Sequence, residues 1–243
     1  MNFDRFRRQI IVNEIGENGQ QLLSKKKVVI IGGGGLGSNS ANILVRLGIG
    51  RIDIIDDDIL DITNLHRMSI YNEEDIGKIK SQILAEKLQK INSEVKVRGI
   101  DKKVTKKNIE SITNNSNIIL DGTDNLETRF LINELSIKKK IPWVYAGVHG
   151  TIGMIMAIEP KISPCFRCIS QNNIREKSFE IPVLGNLPVI ISSIQITEAL
   201  KLLLDKNPSG LIIYDIWNQN FERINIKRNQ QCICCGKEVF ELL

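Results

Sequence analysis

A run of four glycines opens the densest chemistry in this chain. Gly32-Gly33-Gly34-Gly35-Leu36-Gly37 follows directly on the apolar stretch Val28-Val29-Ile30-Ile31. Gly32, Gly34 and Gly37 stand at G-x-G-x-x-G spacing, where a tight turn after a strand brings backbone N–H groups and a positive helix end up to a phosphate. Asp56, 19 residues beyond Gly37, heads the string Asp56-Asp57-Asp58. A carboxylate there accepts hydrogen bonds from ribose hydroxyls, although the same three acids also suit a solvated strand end. Glycines alone would fit an NAD-dependent oxidoreductase. The residues that follow fit it poorly: Thr63-Asn64-Leu65-His66-Arg67 and Lys80 bring cations, and Asp121-Gly122-Thr123-Asp124-Asn125 brings a second acidic cluster. Hydride transfer has no use for cations at this place. Displacement at phosphorus does, because charge builds on the non-bridging and leaving oxygens. Such a reaction also needs Mg2+, for which Asp124, a few residues past Ile118-Ile119-Leu120, is a suitable anchor. Taken singly each of these is a surface charge; the ordered set points to chemistry on the phosphates of a nucleotide.

Bringing these residues to one end of a sheet requires strands alternating with helices. Strands are expected at 27–32, 51–56, 94–100, 117–121 and 142–147, and helices at 35–47, 78–91, 105–113 and 125–139. That alternation implies an α/β fold: a Rossmann-like, mostly parallel sheet with right-handed crossovers and helices on both faces. Before it, Phe3, Phe6, Ile10, Ile11 and Ile15 recur at helical spacing and suggest a short helical arm. The pattern changes near residue 147. An extended run 149–158 leads into a segment with proline and cysteine, a polar loop 170–186, a helix at 188–205 and strands 211–216 and 221–226 that suit a hairpin. The whole chain, 1–243, reads as one domain. It divides into an arm (1–26), a nucleotide-binding core (27–147) and an extension (148–243) that continues the sheet with an antiparallel part and helps to form a binding groove.

Composition agrees with a globular enzyme: 42% hydrophobic and 25% charged residues over 243 positions, with 33 basic against 28 acidic, a net +5. The lysine runs 25–27 and 138–140 each precede an expected strand and read as solvated loop ends, which makes nucleic acid an unlikely partner. The charged N-terminus lacks an apolar leader. The most apolar long stretch, 187–204, contains Gln195, Glu198 and Lys201 and reads as a buried helix, not a membrane span. A soluble, cytoplasmic protein is expected.

The five cysteines form two clusters, Cys165-Phe166-Arg167-Cys168 and Cys232-Ile233-Cys234-Cys235, with 63 residues between them. In an intracellular chain two such C-x-x-C pairs read as a closed, structural zinc site, with reduced or redox cysteines as the alternative. Cys165, Cys168, Cys232 and Cys235 are the expected ligands; Cys234, adjacent to Cys235, competes for the fourth place. His66 reads as a polar contact, His149 as packed or functional, and Trp143, Tyr145 and Trp217 as core or groove residues.

Arg5-Phe6-Arg7-Arg8-Gln9-Ile10, the glycine turn with Ser38, Asp56-Asp57-Asp58, Asn64-Leu65-His66-Arg67, Gly77-Lys78-Ile79-Lys80, and Asp121 to Asn125 with Thr128-Arg129 together make the chain resemble the ubiquitin-activating superfamily. Within it, the chain is similar to the adenylyltransferases that activate sulfur-carrier proteins. The cysteine pairs and Glu198-Ala199-Leu200-Lys201 extend the likeness across nearly the whole sequence. The resemblance implies that Gly32, Gly34, Gly35 and Gly37 meet ATP phosphate and that Asp56 holds the ribose, with Asp58 and Asn125 beside the nucleotide. It further implies that Asn64, Arg67 and Lys80 hold and polarise the phosphates and that Asp124 binds Mg2+. Arg8 would reach the ATP of the other subunit of a homodimer. The implied reaction is attack by the C-terminal glycine carboxylate of a Gly-Gly-ending, ubiquitin-like carrier on the α-phosphate of ATP. Relatives that adenylate a peptide carboxamide or a modified tRNA are the alternative within this fold, and a zinc-containing binding protein without activity is the alternative outside it. Some relatives carry a reactive cysteine after the first cysteine pair; residues 169–185 here hold none, so adenylation without an enzyme thioester is expected. The loop 170–186 is expected to cover the carrier's tail.

Overall fold

A computed structural model describes residues 3–170 and 181–243. Its centre is one eight-stranded sheet in the order β3-β2-β1-β4-β5-β6-β7-β8. The strands are β1 (Lys27–Ile31), β2 (Arg51–Ile55), β3 (Lys96–Ile100), β4 (Ile118–Asp121), β5 (Trp143–His149), β6 (Ile152–Ile158), β7 (Leu211–Asp215) and β8 (Asn220–Ile224). The first five are parallel and the last three antiparallel. β1 and β4 read as unbroken apolar runs because both of their faces are covered.

The helices are α1 (Arg7–Ile10), α2 (Gly16–Leu23), α3 (Gly35–Leu47), α4 (Lys80–Ile91), α5 (Ile109–Ile112), α6 (Leu126–Lys139), α7 (Phe166–Ile169) and α8 (Leu187–Leu203). Alternate side chains of the central strands feed two cores, as the period of two requires. Val28, Ile30, Ile52 and Leu120 join Leu44, Leu84 and Ile191 on one face. Val29, Ile31 and Ile119 join Phe130, Leu135 and Phe166 on the other. The change from parallel to antiparallel pairing falls at the β5–β6 turn, at Gly150 with φ +59°. This splits the expected run 149–158: His149 ends β5, exposed, and β6 begins at Ile152. The expected helix 105–113 shrinks to α5, since the Asn108 side chain accepts from Thr105 N–H (2.8 Å) and donates to the Lys103 carbonyl (2.8 Å), holding a turn ahead of it. Trp143 and Tyr145 are buried core residues, whereas Trp217 is exposed. Among the described residues no helix is long and apolar enough to cross a membrane.

Candidate nucleotide site and metal centre

The glycine turn is dictated by backbone crowding. Gly32 has φ +94°, and a Cβ there would stand 2.4 Å from the Gly122 carbonyl oxygen; a Cβ on Gly37 would stand 1.8 Å from the Gly32 oxygen. The turn after β1 and the end of β4 are therefore in backbone contact. Gly34 caps α3 without any side-chain hydrogen bond, so the first-turn amides and the positive end of the helix dipole are left to a ligand. By contrast Gly34 itself has room, with Met68 Cε the nearest atom at 3.8 Å.

Behind the turn, the Gly33 N–H donates to Asp56 Oδ2 (2.6 Å) and the Asp58 N–H to Oδ1 (2.8 Å). Burial pushes the Asp56 carboxyl above its ordinary range, opposed by these two amides and by Lys80. Lys80, almost wholly buried at the start of α4, donates to Asp58 Oδ2 at 2.9 Å. The Tyr71 hydroxyl lies 3.2 Å from the carbonyls of both Gly33 and Lys80, and Ser81 Oγ donates to the Asp56 carbonyl. The stem of Arg67 runs along Gly35, where a Cβ would meet its Cγ and Cδ at 3.4 Å. Its Nη1 donates to the Thr63 carbonyl and sits 2.9 Å from His66 Nε2. Asn39 fixes this arrangement by donating to the Gly35 and Arg67 carbonyls at 2.6 and 3.2 Å. Asn64 sits in the same turn, accepting from the Asp61 N–H at 3.3 Å.

The second acidic cluster divides its labour. Asp121 is fully buried: Oδ1 accepts from the Thr123 N–H and hydroxyl (2.9 and 2.7 Å) and Oδ2 from Arg129 Nε (3.0 Å). Asn125 caps α6 by accepting from the Thr128 N–H at 2.9 Å. Asp124 between them is exposed at the same end of the sheet as the glycine turn. Arg8 is elsewhere. Gln9 donates to the Leu47 carbonyl and Phe6 crowds Gly48, so α1 lies at the C-terminal end of α3, about 20 Å along that helix from the turn at its start. One chain does not bring Arg8 to its own glycine turn.

The cysteines meet as the spacing requires. The sulfurs of Cys165, Cys168, Cys232 and Cys235 lie within 4.8 Å of one another, a group that could hold a metal ion. Cys234 is the one left out: its sulfur accepts from Asn133 Nδ2 at 3.2 Å, and Asn133 Oδ1 accepts from the Phe166 N–H at 2.8 Å. Arg167, between the first two cysteines, pairs with buried Glu134 on α6 and with Glu241 at 2.9 Å each.

Sequence reasoning assigned no role to Tyr71, Ser81, Asn133, Arg129 or Gln195; the available signals were Thr128-Arg129 in the family signature and, at Gln195, a polar residue within an apolar helix. The expected tail-covering loop lies largely outside the described residues, at 171–180. Its described end runs beside β5, with the Gly150 N–H donating to the Pro182 carbonyl and the Leu184 N–H to the Gly150 carbonyl, and Gly185 stands against the His66 carbonyl.

The chain is similar to known proteins along nearly its whole length. The SAMP-activating enzyme E1 of Haloferax volcanii is 32% identical, over 96% of this chain and 89% of its own length. The sulfur carrier protein adenylyltransferase of Thermus thermophilus is 31% identical over 97% and 91%, and the ThiS adenylyltransferase of Escherichia coli 30% over 97% and 96%. The fold is shared with E. coli MccB crystallised with succinimide (TM-score 0.86, 24% identity, 97% of this chain and 74% of that one). The sequence profile of the ThiF family matches residues 6–234, and the chain belongs to that family.

Proposed function

We propose that this protein is an ATP-dependent adenylyltransferase acting on the C-terminal glycine of a ubiquitin-like sulfur carrier ending in Gly-Gly. The observation that carries the reading is the convergence of an uncapped helix start, the Arg67 stem over Gly35 and the buried Lys80 on one sheet end, in a family member that aligns with carrier adenylyltransferases along nearly its full length.

In this reading the amides that open α3, after Gly32 and Gly33 have donated to Ile55 and Asp56, receive the phosphates, and Asp56, held beside the turn by the Gly33 and Asp58 amides, receives the ribose. Arg67 and Lys80 neutralise the phosphate oxygens, with Asn64 donating beside them. The carrier carboxylate attacks the α-phosphorus as the bond to the β-phosphate oxygen breaks, giving acyl-adenylate and pyrophosphate. The enzyme's contribution is to hold two anions in line and offset their repulsion. Exposed Asp124 suits Mg2+, which is held by one or two carboxylates together with substrate phosphates and supplies further charge neutralisation. The four-cysteine site suits zinc: neighbouring sulfurs stand 3.5, 3.6 and 3.9 Å apart, against about 3.8 Å for thiolates placed tetrahedrally at a Zn–S distance of about 2.3 Å. Arg8, remote from its own site, would serve that of a second copy in a homodimer. The extension 148–243 receives the carrier, and the setting is cytoplasmic.

The test is intact-mass spectrometry of candidate carriers after incubation with the protein, ATP and Mg2+. A labile AMP adduct on a Gly-Gly carrier supports the proposal. ATP binding with no adduct on any carrier redirects it to a peptide or tRNA substrate.

A further inference from the structure

The nucleotide site is walled by the turn with α3 on one side and the end of β4 on the other. β1 and β4 pair as far as Ile31↔Asp121, and the Gly122 N–H donates to the Ile31 carbonyl (2.8 Å). Beyond that pairing, Gly32, Gly37 and Gly122 touch through backbone alone, and α3 needs side chains to hold it against the end of β4. β4 and β5 pair over just two registers, Ile119↔Trp143 and Leu120↔Val144, and then separate. Gln195, fully buried on α8, enters this parting. Its Nε2 donates to the Asp121 carbonyl (2.8 Å) and the Val144 carbonyl (3.0 Å), and its Oε1 accepts from Ser40 Oγ on α3 (2.8 Å). One turn earlier Ser192 Oγ donates to the Leu36 carbonyl in the first turn of α3 (2.9 Å). From the opposite face Arg129 reaches the Thr123 and Ala146 carbonyls. The second half of α8 faces away from the site, where Glu198 and Lys201 hold Ser209 ahead of β7.

We infer that Gln195 is a positioning residue for nucleotidyl transfer: by bridging Ser40 on α3 to Asp121 at the end of β4, it fixes Asp124 relative to the glycine turn. This rests on the proposed nucleotide reading of that site. The glycine turn keeps its own backbone contacts without Gln195, so the nucleotide still binds. What is lost is the alignment of the two walls during transfer, and misplacement of that kind acts on the rate more than on ground-state affinity.

The test is carrier-dependent ATP–pyrophosphate exchange, with ATP Kd measured separately, for Gln195→Met, which keeps the volume and removes both donors and acceptor, and for Ser40→Ala, the milder lesion. Ser209→Ala, at the remote end of α8, is the control for loosening the helix. All are assayed well below their melting temperatures. Expected is a fall in kcat of about tenfold or more for Gln195→Met and a smaller fall for Ser40→Ala, with ATP Kd nearly unchanged and Ser209→Ala at the wild-type rate. Wild-type kcat in Gln195→Met, or an equal fall in Ser209→Ala, overturns the inference. If Gln195→Met does not fold, Ser40→Ala decides: reduced kcat supports the inference and unchanged kcat overturns it. A wild-type protein that neither binds ATP nor exchanges pyrophosphate refutes the nucleotide reading itself.

Discussion

Replacing Arg129 with methionine isolates the buried ion pair that anchors the end of β4. The side chains of Asp121 and Arg129 are 0% and 12% exposed, and every polar contact of the carboxylate is with a donor: Arg129 Nε, the Thr123 amide and the Thr123 hydroxyl. Burial alone pushes the Asp121 carboxyl upward, and Arg129 is the largest opposing influence. Removing one partner of such a pair costs about 3–5 kcal/mol. In a chain of this size that is on the order of a 10 °C fall in Tm. The sign of the pH dependence follows. Without Arg129 the folded-state pKa of Asp121 rises well above its unfolded value of about 3.9, so the folded state binds the extra proton. Stability of Arg129→Met should thus be greatest near or below pH 4 relative to wild type, and decline as pH rises through the shifted value. Asp121→Asn combined with Arg129→Met removes the stranded charge and should recover at least half of the loss. Urea titrations at several pH values give the four corners of the double-mutant cycle. A loss below about 1 kcal/mol, or a double variant as unstable as the sum of the singles, would show that the pair does not anchor the strand.

Gly37→Ala places a Cβ 1.8 Å from the Gly32 carbonyl, whereas Gly34→Ala finds its nearest atom at 3.8 Å. The first should lose the thermal shift given by ATP and on the order of 5–10 °C in Tm, the second little of either; equal effects on ATP binding would count against turn geometry as the cause. Asp53 is fully buried between Lys27, Arg51 and Arg98, which together outweigh burial and hold its carboxyl below the ordinary range. Its stabilisation is present above about pH 4 and lost as pH falls through the depressed value, so the gap between wild type and Asp53→Asn in urea should close only in acid. If the four cysteines hold a structural metal, a strong chelator should lower Tm and change the emission of Trp143, which packs edge-on to Phe166 at 6.1 Å beside Cys165; unchanged stability in strong chelator would rule out a structural metal. If Arg8 serves a second copy, Arg8→Ala and Arg67→Ala proteins, each inactive, should regain about a quarter of wild-type activity when mixed and allowed to exchange subunits. No recovery would keep Arg8 out of the partner's site.

Much of this architecture is legible in the residues because its signals are local. The glycines at 32–37, the apolar strand runs and the C-x-x-C pairs each announce themselves within a few positions. What stays hidden is set by partners far along the chain. Asp121, Asp124 and Asn125 are one acidic cluster in the sequence, yet one is an ion-pair anchor, one faces solvent and one caps a helix. Arg8 belongs to the signature but lies at the far end of α3, which no spacing rule reveals. Cys234 and Cys235 are indistinguishable in the sequence; the sulfur of Cys234 has its own donor in Asn133, far earlier in the chain, and is the one outside the group of four.

The parallel half of the sheet also sorts charge. Strands β1 and β5 are entered from the lysine runs 25–27 and 138–140 and left toward the site end, where Asp56, Asp57, Asp58 and Asp124 stand with Arg67, Lys80 and Arg129. The carboxylates of Asp57, Asp58 and Asp124 are exposed at the mouth that an anion would enter. A nucleotide stripped of its counter-charge meets a repulsive field there, and one travelling with a divalent cation meets far less. If the site takes a nucleotide as proposed, encounter itself, before any bond is made, favours its metal-bound form.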